Sequence, residues 1–262
     1  MNLCPAKDVS TSESVIRRAA MTESSKPDLS SIPDDGIAIV AGASGAIGGA
    51  LAELAEASGR FREVVRLSRG STPALDLLDE AGIESAANTI AAKNPPMRLF
   101  IDATGFLHNE DFLPEKSLRQ ITSAHMVYAF AVNAIGPALL MKHFLPLLPA
   151  QEKSVFATLS AKIGSIGDNR LGGWYSYRAS KAALNQLLHT AAIETARRRR
   201  DAICLALHPG TVESPLSAPF GKSGDGIRSP QEAARNLIAV IEDADSADSG
   251  LFLDYKGEVL PW

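Results

Sequence analysis

Several residue types are scarce in this chain of 262 residues. It has two cysteines, two tryptophans and four tyrosines, no run of eighteen apolar residues, and a formal charge of -4 at pH 7. Cys4 lies in a polar leader and Cys204 in an apolar run, so we expect two separate thiols, and no metal-ligand spacing occurs. The small net charge gives no general attraction to nucleic acid. Since neither a membrane span nor a secretory leader is indicated, we expect a cytoplasmic protein.

The basic run 197–200 is the local exception to this charge balance. Cations suit the end of a helix, so we interpret the run as a solvated last turn, with an RNA-binding patch as the alternative. Four of the five histidines are scattered without the spacing of a metal site: His108, His125, His143 and His189. We expect them to be surface or packing residues.

The chain is long enough, and at 45% hydrophobic residues apolar enough, to bury one substantial core. Residues 1–33 are rich in polar side chains and poor in large apolar ones, so they cannot repay the entropy of ordering. We therefore predict a disordered arm over 1–33 and one folded domain over 34–262. Asp8, Glu13 and Glu23 argue against a transit peptide, and Met21 is an alternative start.

From Ile37 onward, short β-branched runs alternate with stretches of helical periodicity. The predicted strands are Ile37 to Ala41, Glu63 to Ser68, Ala74 to Leu77, Leu99 to Ala103, Ser154 to Leu159, Ala202 to Leu207 and Leu251 to Asp254. Helices are predicted near 46–57, 79–92, 115–147, 175–199 and 230–243. This alternation predicts an α/β fold: one doubly wound, Rossmann-like domain with a parallel sheet of about seven strands and helices on both faces.

One helix start is well marked. Ser229 is a capping residue, Pro230 suits the first helical position, and Glu232 completes a capping box. The preceding segment 214–228 is rich in Gly, Ser and Pro and has no periodicity, so we predict a mobile substrate loop there.

A glycine-rich turn follows the first predicted strand directly. Its residues are Gly42, Ala43, Ser44, Gly45, Ala46, Ile47 and Gly48. Gly42 can turn tightly, Gly45 lets the backbone approach a pyrophosphate, and Gly48 lets helix and strand pack closely. Because the turn lies at the first strand-to-helix junction, it predicts dinucleotide binding rather than a purely structural turn.

The second predicted strand ends at Ser68 and Arg69, with no carboxylate placed to bind a ribose 2′-hydroxyl. An arginine can pair with a 2′-phosphate, so NADP(H) is favoured over NAD(H). The alternative for Arg69 is an ordinary exposed cation.

Two tyrosines precede one lysine in the stretch Trp174 to Lys181, written WYSYRASK. Residues four apart share a helix face, so Tyr177 meets Lys181, whereas Tyr175 points aside. A nearby ammonium stabilises phenolate and draws the tyrosine pKa toward neutrality. The pair can then protonate a carbonyl oxygen while hydride arrives at carbon.

The glycine turn at 42–48 together with Tyr177-x-x-x-Lys181 resembles the short-chain dehydrogenase/reductase family over about residues 36–262. The segments 163–167, 172–178 and 255–262 are similar to its C-factor-like and sniffer-type carbonyl reductase branch.

This resemblance implies a role for each matching residue. Tyr177 would be the general acid or base, Lys181 would bind the nicotinamide ribose, and Asn133 would hold a water of the proton relay. The other cofactor-binding positions that it implies are Asp76 and Leu77 near adenine, Ala103, Thr104 and Gly105 near the adenosine ribose, Pro209, Gly210 and Val212 near the carboxamide, and Ser214 near the diphosphate.

Two positions depart from the family pattern. Ala161 stands where the second serine of a pair is usual, so either Ser165 or Ser160 must polarise the substrate carbonyl; without one, activity falls about a hundredfold or more. Asp102 stands where the family usually has an asparagine, and we expect the bracing of the sheet by that asparagine to be lost.

These observations favour an NADPH-dependent reductase of a ketone, aldehyde or quinone. The alternative is a dinucleotide-binding signalling protein of C-factor type without turnover. A sugar-nucleotide epimerase is disfavoured because little chain remains for a substrate domain. The resemblance also implies a homodimer or homotetramer, built through the helices that contain Asn133 and Tyr177.

Overall fold

The computed structural model describes residues 28–93, 95–220 and 226–262. Six parallel strands form the main sheet: β1 (Ile37–Ala41), β2 (Glu63–Leu67), β3 (Met97–Asp102), β4 (Ser154–Leu159), β5 (Ala202–His208) and β8 (Phe252–Asp254). Across the sheet their order is β2-β1-β3-β4-β5-β8. Two short strands, β6 (Thr211–Val212) and β7 (Ile227–Arg228), pair in parallel beside it.

The helices pack against both faces of this sheet. They are α1 (Ala46–Ala57), α2 (Glu80–Ala91), α3 (Ser123–Phe130), α4 (Gly136–Phe144), α5 (Tyr175–Ala196) and α6 (Pro230–Asp243). A π-helical turn, Ala131–Ile135, joins α3 to α4. Ser229 caps α6 as predicted, since its hydroxyl accepts from the Glu232 amide at 3.1 Å.

The side chains of β1 show how the two layers form. Ile37 and Ile39 belong to a buried cluster with residues of α2, α4 and α5, whereas Ala38 and Val40 belong to a second cluster with residues of α1 and α6. Because successive strand residues point to opposite faces, one apolar strand supplies both cores. The predicted Rossmann-like fold is confirmed, with six strands in its sheet instead of about seven.

The predicted strand Ala74 to Leu77 is wrong. Leu75 is buried and its amide donates to the Ser68 carbonyl at 2.8 Å, but the chain then bends away. The Asp76 carboxylate accepts from the Leu78 amide at 3.0 Å, which closes a local turn. Such a turn satisfies the backbone locally and competes with a strand ladder.

The predicted helix over 115–147 begins too early. A 3₁₀ turn covers Leu118–Gln120, and α3 starts at Ser123 because Thr122 caps it, accepting from the His125 amide at 3.3 Å. The helical stretch Ser123–Leu147 is long and apolar enough to cross a membrane by length and composition. It packs beside α2 and α5, as a core helix does.

The predicted disordered arm ends too late. Leu29 and Ile32 are fully buried in the cluster around α1 and α6, and the Ser31 amide donates to the Glu242 carboxylate at 2.8 Å. Residues 28–33 therefore belong to the packed domain, because two large apolar side chains suffice to anchor them. The rest of the predicted arm, residues 1–27, lies outside the described residues.

The predicted substrate loop 214–228 is held at its base by β6 and β7, where Val212 pairs with Arg228. Its first part, 214–220, is a compact turn in which the Ser217 hydroxyl donates to the Val212 carbonyl. Residues 221–225 lie outside the described part of the chain.

Candidate active site

Most candidate residues follow the carboxyl ends of parallel strands. Gly42 follows β1, Ser68 follows β2, Ala103 follows β3, Ser160 follows β4, and Pro209 follows β5. Since all these strands run in one direction, their carboxyl ends share one edge of the sheet, where open α/β sheets bind ligands.

The glycine-rich turn has the backbone that its sequence predicts. Gly42 has φ +77°, and a Cβ added there would lie 2.9 Å from the Ala103 carbonyl oxygen. A Cβ at Gly48 would lie 2.2 Å from the Gly42 carbonyl oxygen. Gly45 and Ser44 are exposed at the start of α1, which begins at Ala46 and continues with Ile47. The amide end of α1 is therefore open to an anionic group.

At the end of β2, two arginines differ in their surroundings. Arg66 is committed to Glu56, with nitrogen-to-oxygen distances of 2.8 and 2.7 Å. Arg69 is exposed, and no hydrogen bond or ion pair within the described residues engages its guanidinium. Ser68 is half-buried, and its amide donates to the Ser71 hydroxyl at 2.8 Å. Arg69 thus remains available to a phosphate.

The two residues implied to lie near adenine face different surroundings. Asp76 is exposed, although one carboxylate oxygen accepts from the Leu78 amide. Leu77 packs against the start of α4, where a Cβ added at Gly136 would lie 2.7 Å from its Cβ.

The expectation that Asp102 leaves the sheet unbraced is wrong. Its carboxylate accepts from the Thr158 hydroxyl on β4 at 2.7 Å and from the Thr104 hydroxyl at 2.5 Å. It also accepts from the Thr104 amide at 3.0 Å. Two hydroxyl donors supply what a carboxylate needs, so Asp102 links β3 to β4 and fixes the turn through Thr104.

Tyr177 and Lys181 are one turn apart on α5, at this edge of the sheet. The Lys181 side chain is 3% exposed, and its Nζ donates to the Leu159 carbonyl at 2.8 Å. A Cβ added at Gly105 would lie 3.6 Å from that Nζ, in ordinary van der Waals contact, so the ammonium lies next to this glycine. The ring of Tyr177 lies 6.3 Å from that of Trp174, centroid to centroid.

Burial shifts the pKa of both members of this pair. It raises the Tyr177 pKa to about 12, which is opposite to the direction expected from the lysine charge. It lowers the Lys181 pKa to about 8, against the opposing field of Asp102. Near neutral pH the phenol is therefore protonated and the amine carries its charge, the states that a proton donor and its electrostatic partner require.

Asn133 lies on the π-helical turn and is fully buried. Its Oδ1 accepts from the Phe106 amide at 2.7 Å, and its Nδ2 donates to the Phe106 carbonyl at 2.8 Å and the Ser180 hydroxyl at 3.0 Å. The amide is thus occupied by protein groups and joins three elements. The role of Asn133 in holding a relay water remains a prediction.

The two candidate serines are directed to different partners. The Ser160 hydroxyl donates to Asn185 Oδ1 at 2.6 Å, and the Ser165 hydroxyl donates to the Trp262 carbonyl at 3.4 Å. The Ser165 oxygen also accepts from the Asp168 amide at 3.0 Å. Among the described residues, no hydrogen bond joins either serine to Tyr177, and which of them polarises a substrate carbonyl remains a prediction.

The loop after β5 contains the remaining cofactor candidates. Pro209 and Val212 are buried, and Gly210 has φ +80°. A Cβ at Gly210 would lie 2.7 Å from an Arg228 nitrogen. Ser214 closes the next turn, with its amide 3.2 Å from the Ser217 hydroxyl.

Sequence reasoning missed several polar residues around this site. The buried Glu115 carboxylate accepts a hydrogen bond from the Ser176 amide at the start of α5. The Arg178 guanidinium donates to the Gly173 carbonyl just before that helix, and Asn185 accepts from the Ser160 hydroxyl. His208 has a pKa lowered to about 4 by burial. The Gly172-Gly173 pair could have indicated a turn, but no local pattern indicates which distant groups hold it.

The residues present fit a dinucleotide. The glycine turn gives close backbone approach at a helix start, Arg69 supplies an uncommitted cation, and the Lys181 amine reaches the same edge. Among the described residues, no group of three His, Cys, Asp or Glu side chains is placed to hold a metal ion.

Comparisons with known proteins agree with this geometry. A family model described as enoyl-(acyl carrier protein) reductase matches residues 36–255. C-signal of Myxococcus xanthus is 32% identical over 146 residues, covering 56% of this chain and 84% of that protein. A 1-hydroxy-2-glutathionyl-2-methyl-3-butene dehydrogenase of Rhodococcus sp. (strain AD45) is 28% identical over 193 residues, covering 72% of this chain and 79% of its own.

Solved structures show the same fold. The NADPH-bound carbonyl reductase from chicken fatty liver has a TM-score of 0.78 at 25% identity, covering 88% of this chain and all (100%) of its own. Carbonyl reductase Sniffer of D. melanogaster has a TM-score of 0.70 at 19% identity, covering 87% and 99%. The predicted resemblance is confirmed, and this chain belongs to the short-chain dehydrogenase/reductase family.

Proposed function

We propose that the protein is an NADPH-dependent reductase that converts a ketone, aldehyde or quinone to its alcohol. The observation that carries this proposal is the pair formed by Tyr177 and Lys181, one helical turn apart on α5, with the Lys181 ammonium beside Gly105. The similarity to an NADPH-bound carbonyl reductase supports the same chemistry.

The cofactor, when bound, supplies a hydride to the carbonyl carbon. Tyr177 donates its phenolic proton to the carbonyl oxygen, so one hydride and one proton convert the carbonyl to an alcohol. The Lys181 ammonium stabilises the phenolate left behind, which then regains a proton from solvent. Lys181 and the turn through Gly105 and Thr104 would hold the ribose units, and the amide end of α1 would hold the pyrophosphate.

The preference for NADPH over NADH rests on the end of β2. Arg69 is exposed and makes no hydrogen bond or ion pair within the described residues, whereas the Arg66 guanidinium is paired with the Glu56 carboxylate. A guanidinium favours a 2′-phosphate by charge-assisted hydrogen bonds, and no carboxylate stands there to repel it.

The test is NADPH oxidation with a panel of ketones, aldehydes and quinones. Tyr177→Phe should reduce kcat by about a hundredfold or more, since general acid catalysis is worth that much. Tyr175→Phe is the matched control, because it removes a phenol from the same helix start and should retain activity. Equal rates for wild type and Tyr177→Phe would eliminate the mechanism.

A second candidate is a dinucleotide-binding signalling protein without turnover. Ala161 and the commitment of Ser160 and Ser165 to other partners favour it, because a reductase gains from a hydroxyl at the developing oxyanion. The similarity to C-signal gives weaker support. Fluorescence-detected NADPH binding with no turnover across the panel would favour this function over the first.

We also propose a cytoplasmic homodimer or homotetramer assembled through α5. Leu187 and Ile193 of that helix are 39% and 53% exposed, so α5 presents two large apolar side chains that a second copy of the chain would cover. Light scattering tests this assembly: Leu187→Glu together with Ile193→Glu should give monomers, and a monomeric wild type would refute it.

A further inference from the structure

A buried polar cluster lies directly beneath the start of α5. Glu115 is 2% exposed, and both of its carboxylate oxygens face Ser176, which is fully buried. One oxygen accepts from the Ser176 amide at 3.2 Å, and the other accepts from the Ser176 hydroxyl. The Glu115 backbone carbonyl also accepts from the Trp174 amide at 2.5 Å.

These contacts replace a missing helix cap. Trp174 occupies the capping position of α5, yet its side chain makes no capping hydrogen bond. The first amides of a helix need acceptors, and a negative group there also suits the helix dipole. Glu115, which is 61 positions away from Ser176 in sequence, supplies that acceptor.

The chain that enters α5 is held in an unusual conformation. Gly172, Gly173 and Trp174 have φ values of +64°, +67° and +53° in succession. A left-handed conformation is costly for a tryptophan, so surrounding groups must impose it. Glu115 holds the turn from one side, and the Arg178 guanidinium donates to the Gly173 carbonyl at 3.0 Å from the other.

Tyr177 is the third residue of this helix, and it follows Ser176 directly. Its direction therefore depends on how the first turn is fixed. We infer that Glu115 is a positioning residue that caps α5 from outside the helix and fixes Tyr177 for proton transfer. This inference rests on the proposed reductase function.

The same carboxylate links the start of α5 to α3. His125 Nδ1 lies 3.2 Å from a Glu115 oxygen, and the His125 ring stacks on Phe112 with centroids 5.0 Å apart. Glu115 thus joins α3, the loop after β3 and the start of α5. A local change at this carboxylate reaches the position of the catalytic phenol.

The test compares Glu115→Gln with wild type and with Glu110→Gln, an exposed carboxylate of the same loop. Glutamine keeps the shape, but it removes the negative charge at the start of α5 and replaces one acceptor oxygen with a donor. We expect kcat to fall about ten- to a hundredfold, since small misplacements of a reacting group cost that much. KM for NADPH should stay within about twofold, because the proposed contacts with the pyrophosphate and the 2′-phosphate lie at α1 and at the end of β2 rather than on α5. Glu115→Asp should restore part of kcat, and Glu110→Gln should match wild type.

A second readout does not need turnover. Amide hydrogen exchange of the segment 172–180 should accelerate roughly tenfold in Glu115→Gln, because a neutral amide binds the first-turn donors more weakly than a carboxylate does. Ser176→Ala removes one of the two side-chain contacts and should give a smaller effect, so it serves if Glu115→Gln does not fold.

The outcomes separate the positioning role of Glu115 from the proposed reductase function. Faster exchange with unchanged kcat would overturn the positioning role, as would a lower kcat with unchanged exchange. A wild type that binds NADPH but reduces nothing would reject the proposed function. In that case the positioning role of Glu115 is tested by amide hydrogen exchange and by ultraviolet titration of Tyr177. If the phenol titrates identically in Glu115→Gln and in wild type, the inference is overturned.

Discussion

The Nζ atom of Lys181 donates a hydrogen bond to the Leu159 carbonyl, 2.8 Å away at the end of β4. This contact fixes the ammonium at the sheet edge before any ligand arrives. Desolvation lowers the pKa of this nearly buried amine to about 8 against the opposing field of Asp102, so the amine keeps its charge near neutral pH. Burial raises the pKa of Tyr177 to about 12, so in the proposed reduction a cationic residue one turn away favours release of its proton.

The pKa of Lys181 predicts a basic limb in the pH profile of carbonyl reduction. The ammonium is charged below about pH 8 and loses its charge as the pH rises through that value. Reduction should therefore be constant in mildly acidic and neutral solution and fall above it, because the phenolate formed by proton donation loses its partner. The measurement is kcat/KM against pH, which reports groups of the free enzyme.

A variant with a permanent charge checks the assignment of this limb. Lys181→Arg remains protonated across the range, so whatever activity it retains should lack the fall near pH 8. An unchanged limb in this variant would assign the titration to another group.

Arg69 predicts the cofactor preference. Arg69→Ala should weaken NADPH binding by about ten- to a hundredfold, the value of one charge-assisted hydrogen-bonding group, and leave NADH binding unchanged. Arg66→Ala is the control, since its guanidinium is already paired with Glu56. Fluorescence titration with both cofactors measures the ratio, and an equal loss for NADPH and NADH would contradict the assignment.

Ala161 predicts that the enzyme is short of one hydrogen bond to the substrate oxygen. Ala161→Ser should raise kcat by about tenfold or more, because an oxyanion donor is worth at least that. Ser165→Ala and Ser160→Ala identify the present donor by the larger loss in steady-state rates. If Ala161→Ser has no effect while one of these alanine variants loses activity, the existing serine already fills the role.

The glycine turn and the Tyr177–Lys181 pair could be predicted from sequence because each is a local pattern. A strand followed by spaced glycines, or two residues one helical turn apart, carries its geometry in a few neighbouring positions. The β1 strand was equally clear, since its apolar run is buried on both faces.

The surroundings of the site depend on contacts between distant residues, and sequence reasoning missed them. Nothing near Glu115 indicates that it caps a helix 61 positions onward. Asp102 was predicted to leave the sheet unbraced because it replaces an asparagine. Its donor on β4, Thr158, is 56 positions away, and no local pattern indicates that contact. The strand at Ala74 to Leu77 failed for a local reason instead: Asp76 accepts a backbone hydrogen bond and turns the chain.

Asp102 connects the stability of the sheet to the charge of Lys181. Asp102→Asn keeps the shape, and the hydroxyls of Thr158 and Thr104 can rotate to accept, so it should cost about 1 kcal/mol of unfolding free energy. Asp102→Ala leaves both hydroxyls without this acceptor and should cost about 1–3 kcal/mol. Because the aspartate charge raises the Lys181 pKa, its removal in Asp102→Asn should move the basic limb of reduction to lower pH. Urea unfolding and the pH profile test the two effects separately, and a limb that stays in place would show that Asp102 acts through structure alone.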